Sequence, residues 1–183
     1  LIVVVAKDEV AFVEEMLEKA QGLKPWHVAQ GGAERQYSIA NGMAHLAANA
    51  DVVLVHDAAR PLVSLAAIEA VIAAAREKGA AIAAVRAKNT IKVVGEDGRV
   101  EATPSRASLW EVQTPQGFRR EILERAYEKA AQDGFLGTDD ASLVERIGEA
   151  VFVVESDYGN LKITTPEDLW MAEALLAHSA GIV

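Results

Sequence analysis

Cysteine is absent from this chain. That excludes disulfides and thiolate-ligated metals, and it is compatible with a cytoplasmic location. Long apolar runs are also lacking: the hydrophobic stretches are short and broken by charge, well below the ~20 residues of a membrane helix, so no membrane partner is expected. Leu1-Ile2-Val3-Val4-Val5 has no basic flank and no cleavage pattern, so no secretory leader is expected. Basic charge is scarce, with 18 Lys and Arg against 27 Asp and Glu and a formal net charge of −9. A nucleic-acid partner needs a basic face and is not expected. An anionic small substrate stays open, because a few Arg and Lys with a divalent cation can hold phosphates in a cleft. Several chemical signatures are missing too. No Gly-x-Gly-x-x-Gly supports a nicotinamide enzyme, and no Gly-x-Ser-x-Gly elbow supports a serine hydrolase. His27, His45, His56 and His178 form no pair at helical ligand spacing, which argues against zinc.

What is present is a strand–helix alternation. The 183 residues, half of them hydrophobic, suit one domain over 1–183 with a full core. Residues 1–5 read as a buried strand. Asp8 caps a helix over about Glu9 to Ala20 with Phe12, Met16 and Leu17 inward, stopped by Gly22. Trp26 to Ala29 is a second strand, and Gly31-Gly32 leads into a helix from about Glu34 to Ala48 with Ile39, Met43 and Leu46 inward. Val52 to Val55 is a third strand, apolar on both faces. Ser64 caps a helix over Leu65 to Lys78, ended by Gly79, and Ala80 to Val85 is a fourth strand. This order predicts a mostly parallel α/β sheet, covered by helices on both faces.

At residue 88 the pattern changes. Thr90 to Val94, the turn Gly95-Glu96-Asp97-Gly98, and Arg99 to Ala102 read as a β-hairpin. Such a hairpin projects from an α/β sheet, and the arm at about 88–108 is a candidate contact for a partner subunit. Residues 109–118 lead back to a helix over Arg119 to Gln132, stopped by Gly134. A further helix runs from about Asp139 to Ile147, followed by a strand at Val151 to Val154. The last helix has Thr165 as N-cap, Pro166 at its first position and Asp168 three residues after the cap. Leu169, Met171, Leu175 and Leu176 give it apolar contacts, and His178 to Val183 reads as a tail.

Ligands of parallel α/β sheets bind beyond the carboxyl ends of the strands, and three segments bring polar residues there. Gly31-Gly32, with Glu34, Arg35 and Ser38, is either a plain strand-to-helix turn or a close approach to a ligand. In His56-Asp57-Ala58-Ala59-Arg60-Pro61, Asp57 could hold a metal or a ribose hydroxyl and Arg60 could clamp a phosphate. The same two residues could equally be an ion pair that fixes the loop. Lys162 lies just before a helix N-terminus, where anions are favoured, although a lysine there can also simply snorkel to water.

Read together, these segments are more specific. Gly31-Gly32-Ala33-Glu34-Arg35-Gln36-x-Ser38, His56 to Pro61, Asn89-Thr90-Ile91-Lys92, Arg106-Ala107-Ser108-Leu109-Trp110, Gln113-Thr114-Pro115-Gln116, Thr138-Asp139-Asp140-Ala141-Ser142 and Asn160 to Asp168 follow in one order. That order resembles the 2-C-methyl-D-erythritol 4-phosphate cytidylyltransferases of non-mevalonate isoprenoid biosynthesis over essentially the whole chain. The resemblance implies a Rossmann-like nucleotidyltransferase fold of the glycosyltransferase-A type and a homodimer joined through the arm. It implies transfer of a cytidylyl group from CTP to methylerythritol phosphate, with Mg2+ bridging the triphosphate and pyrophosphate leaving. By position, Gly32, Ala33 and Ser38 match the cytosine loop, and Asp57 and Ala58 match residues at the ribose. Arg60, Thr114, Thr138 and Lys162 match the acceptor side, with Lys162 also near the reacting phosphate. Thr90 and Arg106 match arm residues that reach the partner's acceptor. Lys162, Asp57 and Arg60 are the expected catalytic groups, and Asp57 the expected metal ligand.

The chain departs from the family in three places. Members begin with a strand and a Gly-rich loop bearing an Arg and a Lys for the CTP phosphates, and Leu1 resembles the start of their second strand. The expectation is that the natural protein carries that segment ahead of Leu1. Asn89 stands where members often have Asp, and Tyr158-Gly159 stand where some carry an acid, which leaves Asp57 as the metal candidate. Ribitol-5-phosphate cytidylyltransferases share related segments, but Arg106 with Ser108-Leu109-Trp110 favours the methylerythritol acceptor. A catalytically inactive nucleotide-binding or dimerisation module is the rival from another class.

Overall fold

A computed structural model describes residues 1–180, with side chains to 178. Its elements are β1 (Ile2–Val5), α1 (Val10–Lys19), β2 (His27–Gln30), α2 (Arg35–Met43), β3 (Val52–Val55), α3 (Leu65–Lys78), β4 (Ala80–Arg86), β5 (Val93–Val94), β6 (Val100–Ala102), β7 (Trp110–Arg119), α4 (Arg120–Asp133), α5 (Asp140–Arg146), β8 (Phe152–Glu155) and α6 (Pro166–Ala180). This is the expected α/β alternation, divided into two compact units: Leu1–Val53 with Arg120–Glu149, and Leu54–Arg119 with the chain from Ala150 on.

In the first unit β1 and β2 pair in parallel, Ile2 opposite His27 through Val5 opposite Gln30. The core stripe comes from α4, where Ile122, Leu123, Ala126, Tyr127 and Ala130 are buried at helical spacing. It faces Ala141, Leu143 and Val144 of α5. Leu123 and Leu143 are almost wholly inaccessible, each contributing about 2 kcal/mol through burial. One charge lies inside this unit. Asp140 is 1% exposed, accepts the Tyr127 hydroxyl at 2.5 Å and pairs with Arg35 Nη1 at 2.8 Å.

Burial, then the Asp140 charge and hydrogen bond, push the Tyr127 phenol far above its ordinary value near 10. The folded protein therefore keeps a proton that the unfolded chain releases. This contribution to stability is complete below pH ~10 and is lost as pH rises beyond it. Urea midpoints measured between pH 8 and 11 should fall more steeply for the wild type than for Tyr127→Phe. Parallel curves would contradict the assignment.

In the second unit, α3 begins and ends where the sequence places it. Ser64 Oγ accepts from Ala67 N at 3.2 Å. Arg119 donates to the carbonyls of Arg76 and Glu77 at 2.8–3.1 Å, supplying partners and positive charge at the C-terminus of α3. The sheet order is β3-β7-β4-β8. Every residue of β4 from Ala80 to Val85 is buried, and four of those six are alanines, so neighbours approach closely. Gly117 is needed where α3 crosses β7, because a Cβ there would lie 2.8 Å from Val71 and 2.9 Å from Leu54.

Several expectations are corrected. Residues 109–118 are no irregular lead-back but most of β7, which runs antiparallel to β4 within the otherwise α/β sheet, while β4 and β8 are parallel. Pro115, Gly117 and three polar side chains hide the strand, because proline and glycine oppose strand assignment and the alternation is broken. Asp8 caps nothing: a 3-10 turn over Lys7–Glu9 precedes α1, and neither start has a side-chain cap. Phe12 and Met16 are 68% and 51% exposed, and Val13 is the buried residue of α1. α2 ends at Met43, short of Ala48. The hairpin strands shrink to two and three residues. On α6 the capping box forms as expected: Thr165 N donates to Asp168 Oδ2 and Asp168 N to Thr165 Oγ1. Its Leu169, Met171, Leu175 and Leu176 are exposed, however, and Ala172 is buried instead. Of the expected tail, His178 lies in α6, and 181–183 fall outside the described residues.

Candidate functional site

The second unit gathers four of the expected residues. β3 delivers His56 and Asp57 directly after Val55. β7 delivers Thr114 through a bulge: Ile82 pairs with Gln116 and Ala84 with Val112, so residues 113–115 face Ala83 alone. Bulges re-aim side chains in this way. Thr114 Oγ1 accepts the Asp57 amide at 3.0 Å. Asp57 Oδ2 stands 2.9 Å from Lys162 Nζ, with the carboxylate side chain 16% and the lysine 44% exposed.

Arg60 is placed by Asn160, whose carbonyl oxygen accepts from Arg60 Nη1 at 2.7 Å. Burial lowers the Arg60 pKa, opposed by the nearby Asp57 charge, and a guanidinium remains cationic through such a shift. Asn160 itself is fully buried. Its amide donates to Gln113 Oε1 at 3.0 Å and to the Thr114 carbonyl at 2.8 Å, while Gln113 Nε2 donates to the Asp157 carbonyl at 3.1 Å. Buried polar groups need such partners. The result is a half-buried carboxylate between a lysine, an arginine and a threonine hydroxyl, a surface suited to an anionic substrate.

Thr90 and Arg106 are not brought to this cluster by any observed bond. Thr90 is exposed on the arm. Arg106 Nη1 donates to the Lys88 carbonyl at 2.8 Å, at the root of the arm. Lys88 Nζ lies over the Tyr158 ring at 3.3 Å, and Tyr158 donates to the Arg86 carbonyl at 2.8 Å.

Ala58 follows Asp57 in the second unit and is exposed, while the first unit holds Gly32, Ala33, Ser38 and Thr138. Gly32 N donates to Ser38 Oγ at 3.1 Å, and Ser38 Oγ donates to the Glu34 carbonyl at 3.1 Å. Glycine is required at 32, where a Cβ would approach the Tyr37 Cβ to 2.5 Å. Ser38 thus closes this loop, and Ala33 is exposed on it. Thr138, also exposed, borders a cavity of about 20 Å³ with Arg35, Gln36, Tyr127, Gly137 and Asp140, room for about one water molecule. Gln36 fixes the segment before Thr138, donating to the Phe135 carbonyl at 3.0 Å and accepting from Gly137 N at 2.9 Å.

Sequence reasoning did not single out Asn160, Gln113 or Gln36 as supports. Each is a polar residue beside an apolar or glycine position, a weak signal without the partners in view.

Comparison with known proteins finds relatives over nearly the whole chain. The family model of 2-C-methyl-D-erythritol 4-phosphate cytidylyltransferase matches residues 1–178. The protein of that name from Caldanaerobacter subterraneus subsp. tengcongensis is 48% identical over 177 residues, covering 96% of this chain and 78% of the relative. The one from Geobacillus thermodenitrificans is 49% identical over 178 residues, covering 97% and 77%. The crystal structure of the Anaerococcus prevotii 4-diphosphocytidyl-2C-methyl-D-erythritol synthase superposes with a TM-score of 0.88 at 35% identity, covering 96% of this chain and 80% of that one. The Thermus thermophilus 2-C-methyl-D-erythritol 4-phosphate cytidylyltransferase gives 0.78 at 32% identity, covering 95% and 97%. By the extent of the match and the identity of these relatives, this chain belongs to the 2-C-methyl-D-erythritol 4-phosphate cytidylyltransferase family.

Proposed function

We propose that this protein transfers a cytidylyl group from CTP to 2-C-methyl-D-erythritol 4-phosphate and releases pyrophosphate, a step of isoprenoid biosynthesis. The observation that carries the reading is the Asp57–Lys162 pair at 2.9 Å, flanked by Thr114 and Arg60, in a chain of this family. A phosphate oxygen of the acceptor attacks the α-phosphorus in line as pyrophosphate departs. Both reactants are anions, so the protein's contribution is positioning and charge neutralisation, and no protein nucleophile is required.

In this reading Lys162 meets the reacting phosphate, Arg60, Thr114 and Thr138 hold the acceptor, and Asp57 and Ala58 hold the ribose. Gly32, Ala33 and Ser38 take the cytosine. Asp57 also suits Mg2+, which commonly takes one or two carboxylates and completes its shell with phosphate oxygens and water. Among the described residues no group of three or more His, Cys, Asp or Glu side chains could hold a metal without such help. Bound there, the ion would offset triphosphate charge.

The arm supports a homodimer. Val93, Val94 and Val100 are 45–51% exposed on a two-stranded ribbon, and such a ribbon is marginal without cover. Thr90 and Arg106 would then serve the acceptor site of the partner. No helix among the described residues is long and apolar enough to cross a membrane, in keeping with a cytoplasmic reaction on soluble metabolites.

Pyrophosphate release by the full-length protein, with CTP, Mg2+ and one acceptor at a time, tests this function. Methylerythritol phosphate should be the preferred acceptor by a wide margin in kcat/KM. Preference for ribitol 5-phosphate would replace the acceptor, and no release with either would favour a binding module.

A further inference from the structure

His56 sits between β3 and Asp57, and both of its ring nitrogens are engaged. Nε2 lies 3.0 Å from the Arg60 carbonyl oxygen, and Nδ1 lies 2.9 Å from Thr114 Oγ1. The same Thr114 oxygen accepts the Asp57 amide at 3.0 Å. Hydrogen accounting leaves one arrangement with a neutral ring. A carbonyl oxygen only accepts, so Nε2 must carry the ring hydrogen. Nδ1 is then bare and must accept, and the one hydrogen available to it is that of the Thr114 hydroxyl. The donors therefore run in one direction: Asp57 N–H to Thr114 Oγ1, Thr114 O–H to His56 Nδ1, His56 Nε2–H to the Arg60 carbonyl. Each bond polarises the next.

We infer that His56, as its neutral Nε2–H tautomer, is a positioning residue for the reaction. It turns the Thr114 hydrogen inward, leaving the second Oγ1 lone pair to accept from a hydroxyl of the acceptor, and closes the 56–60 loop on itself, which places the Asp57 carboxylate against Lys162 and holds the Arg60 backbone from which its guanidinium reaches Asn160. His56 touches neither reactant; its effect passes through Thr114, Asp57 and Arg60. A ring in the other tautomer would donate Nδ1–H to Thr114 Oγ1, turning the Thr114 hydrogen away, and aim a bare Nε2 at a carbonyl oxygen, losing the Arg60 bond and repelling that oxygen. This inference rests on the proposed transferase reading for its kinetic consequences and on geometry alone for the tautomer.

The two parts are tested separately. Long-range 1H–15N correlation spectra of the full-length protein at pH 8, with His56 assigned by its loss in His56→Asn, should show Nδ1 unprotonated and Nε2 protonated. An Nδ1–H pattern, or a rapidly averaging tautomer pair, overturns the inference whatever the enzyme's activity. In the kinetic arm, an asparagine amide reaches the Nδ1 position and can accept from Thr114, whereas a glutamine amide reaches the Nε2 position and can only replace the Arg60 bond. His56→Ala should lower kcat with the preferred acceptor by up to about 100-fold, the scale of a misplaced reacting geometry. His56→Asn should recover at least about tenfold of that loss, and His56→Gln should not. Equal activity of all three variants, or better rescue by glutamine, overturns it. Inactivity of the wild type towards every acceptor would instead count against the transferase reading, with the tautomer result still standing.

Discussion

Lys162→Ala should lower kcat for pyrophosphate release by about 10²–10³, the usual loss when one preorganised charge donor is removed from a site where negative charge develops. The fold should survive. Lys162 is 44% exposed and bonded to one carboxylate, and partly exposed ion pairs contribute ~1 kcal/mol or less. Thermal midpoints should therefore stay within roughly 4 °C of the wild type. Lys162→Arg keeps the charge but replaces a compact ammonium with a planar fork, so it should recover part of the rate and not all of it. Asp57→Asn supplies the contrast, because it frees Lys162 from its partner while removing the carboxylate assigned to ribose and metal. It should raise the Mg2+ concentration needed for half-maximal rate, an effect Lys162→Ala should not share. Activity of Lys162→Ala within tenfold of the wild type would remove Lys162 from the reaction.

The second large effect concerns stability. Asp140→Ala should destabilise the first unit by about 2–4 kcal/mol. The Tyr127 hydroxyl would be left buried without its acceptor, a cost of about 1–3 kcal/mol. Breaking a buried ion pair by removing one member costs 3–5 kcal/mol when both charges are enclosed. Arg35 is 38% exposed in its side chain, so it can turn to water, which keeps the loss below that of a fully enclosed pair. A chain of this size loses about 2–4 °C per kcal/mol, so the thermal midpoint should fall by roughly 4–16 °C. Asp140→Asn keeps an acceptor for Tyr127 and should lie between alanine and the wild type. A shift below 2 °C for the alanine variant would show that the Tyr127–Asp140–Arg35 contacts contribute little.

The site was partly legible in the sequence. Asp57, Arg60, Thr114 and Lys162 could be chosen because each stands in a short segment whose residue types are unusual at a strand end or helix start, and those segments occur in a recognisable order. What joins them could not be read. The Arg60 to Asn160 bond spans 100 residues, and the His56 to Thr114 bond spans 58. Neither leaves a periodic or adjacent trace. The same limit explains the misread β7. Its polar Gln113, Thr114 and Gln116 are 6%, 4% and 1% exposed, an arrangement allowed by bonds to distant residues such as Asp157 and Asn160. On local pattern alone such a segment reads as a loop.

The sequence by itself determined the helix starts at Ser64 and Thr165, because a cap is decided within three or four residues of chain. It determined the buried strand at Ala80 to Val85 and the alternation that makes an α/β fold. It also carried the ordered segments that place the chain in its family. Tertiary structure alone decided that β7 runs antiparallel and bulges at Thr114, that α1 and α6 expose apolar residues expected inside, and that His56 and Asn160 support the charged groups beside them. These features depend on which distant backbone and side-chain groups must satisfy one another once water is excluded, and that accounting closes only when the chain is folded.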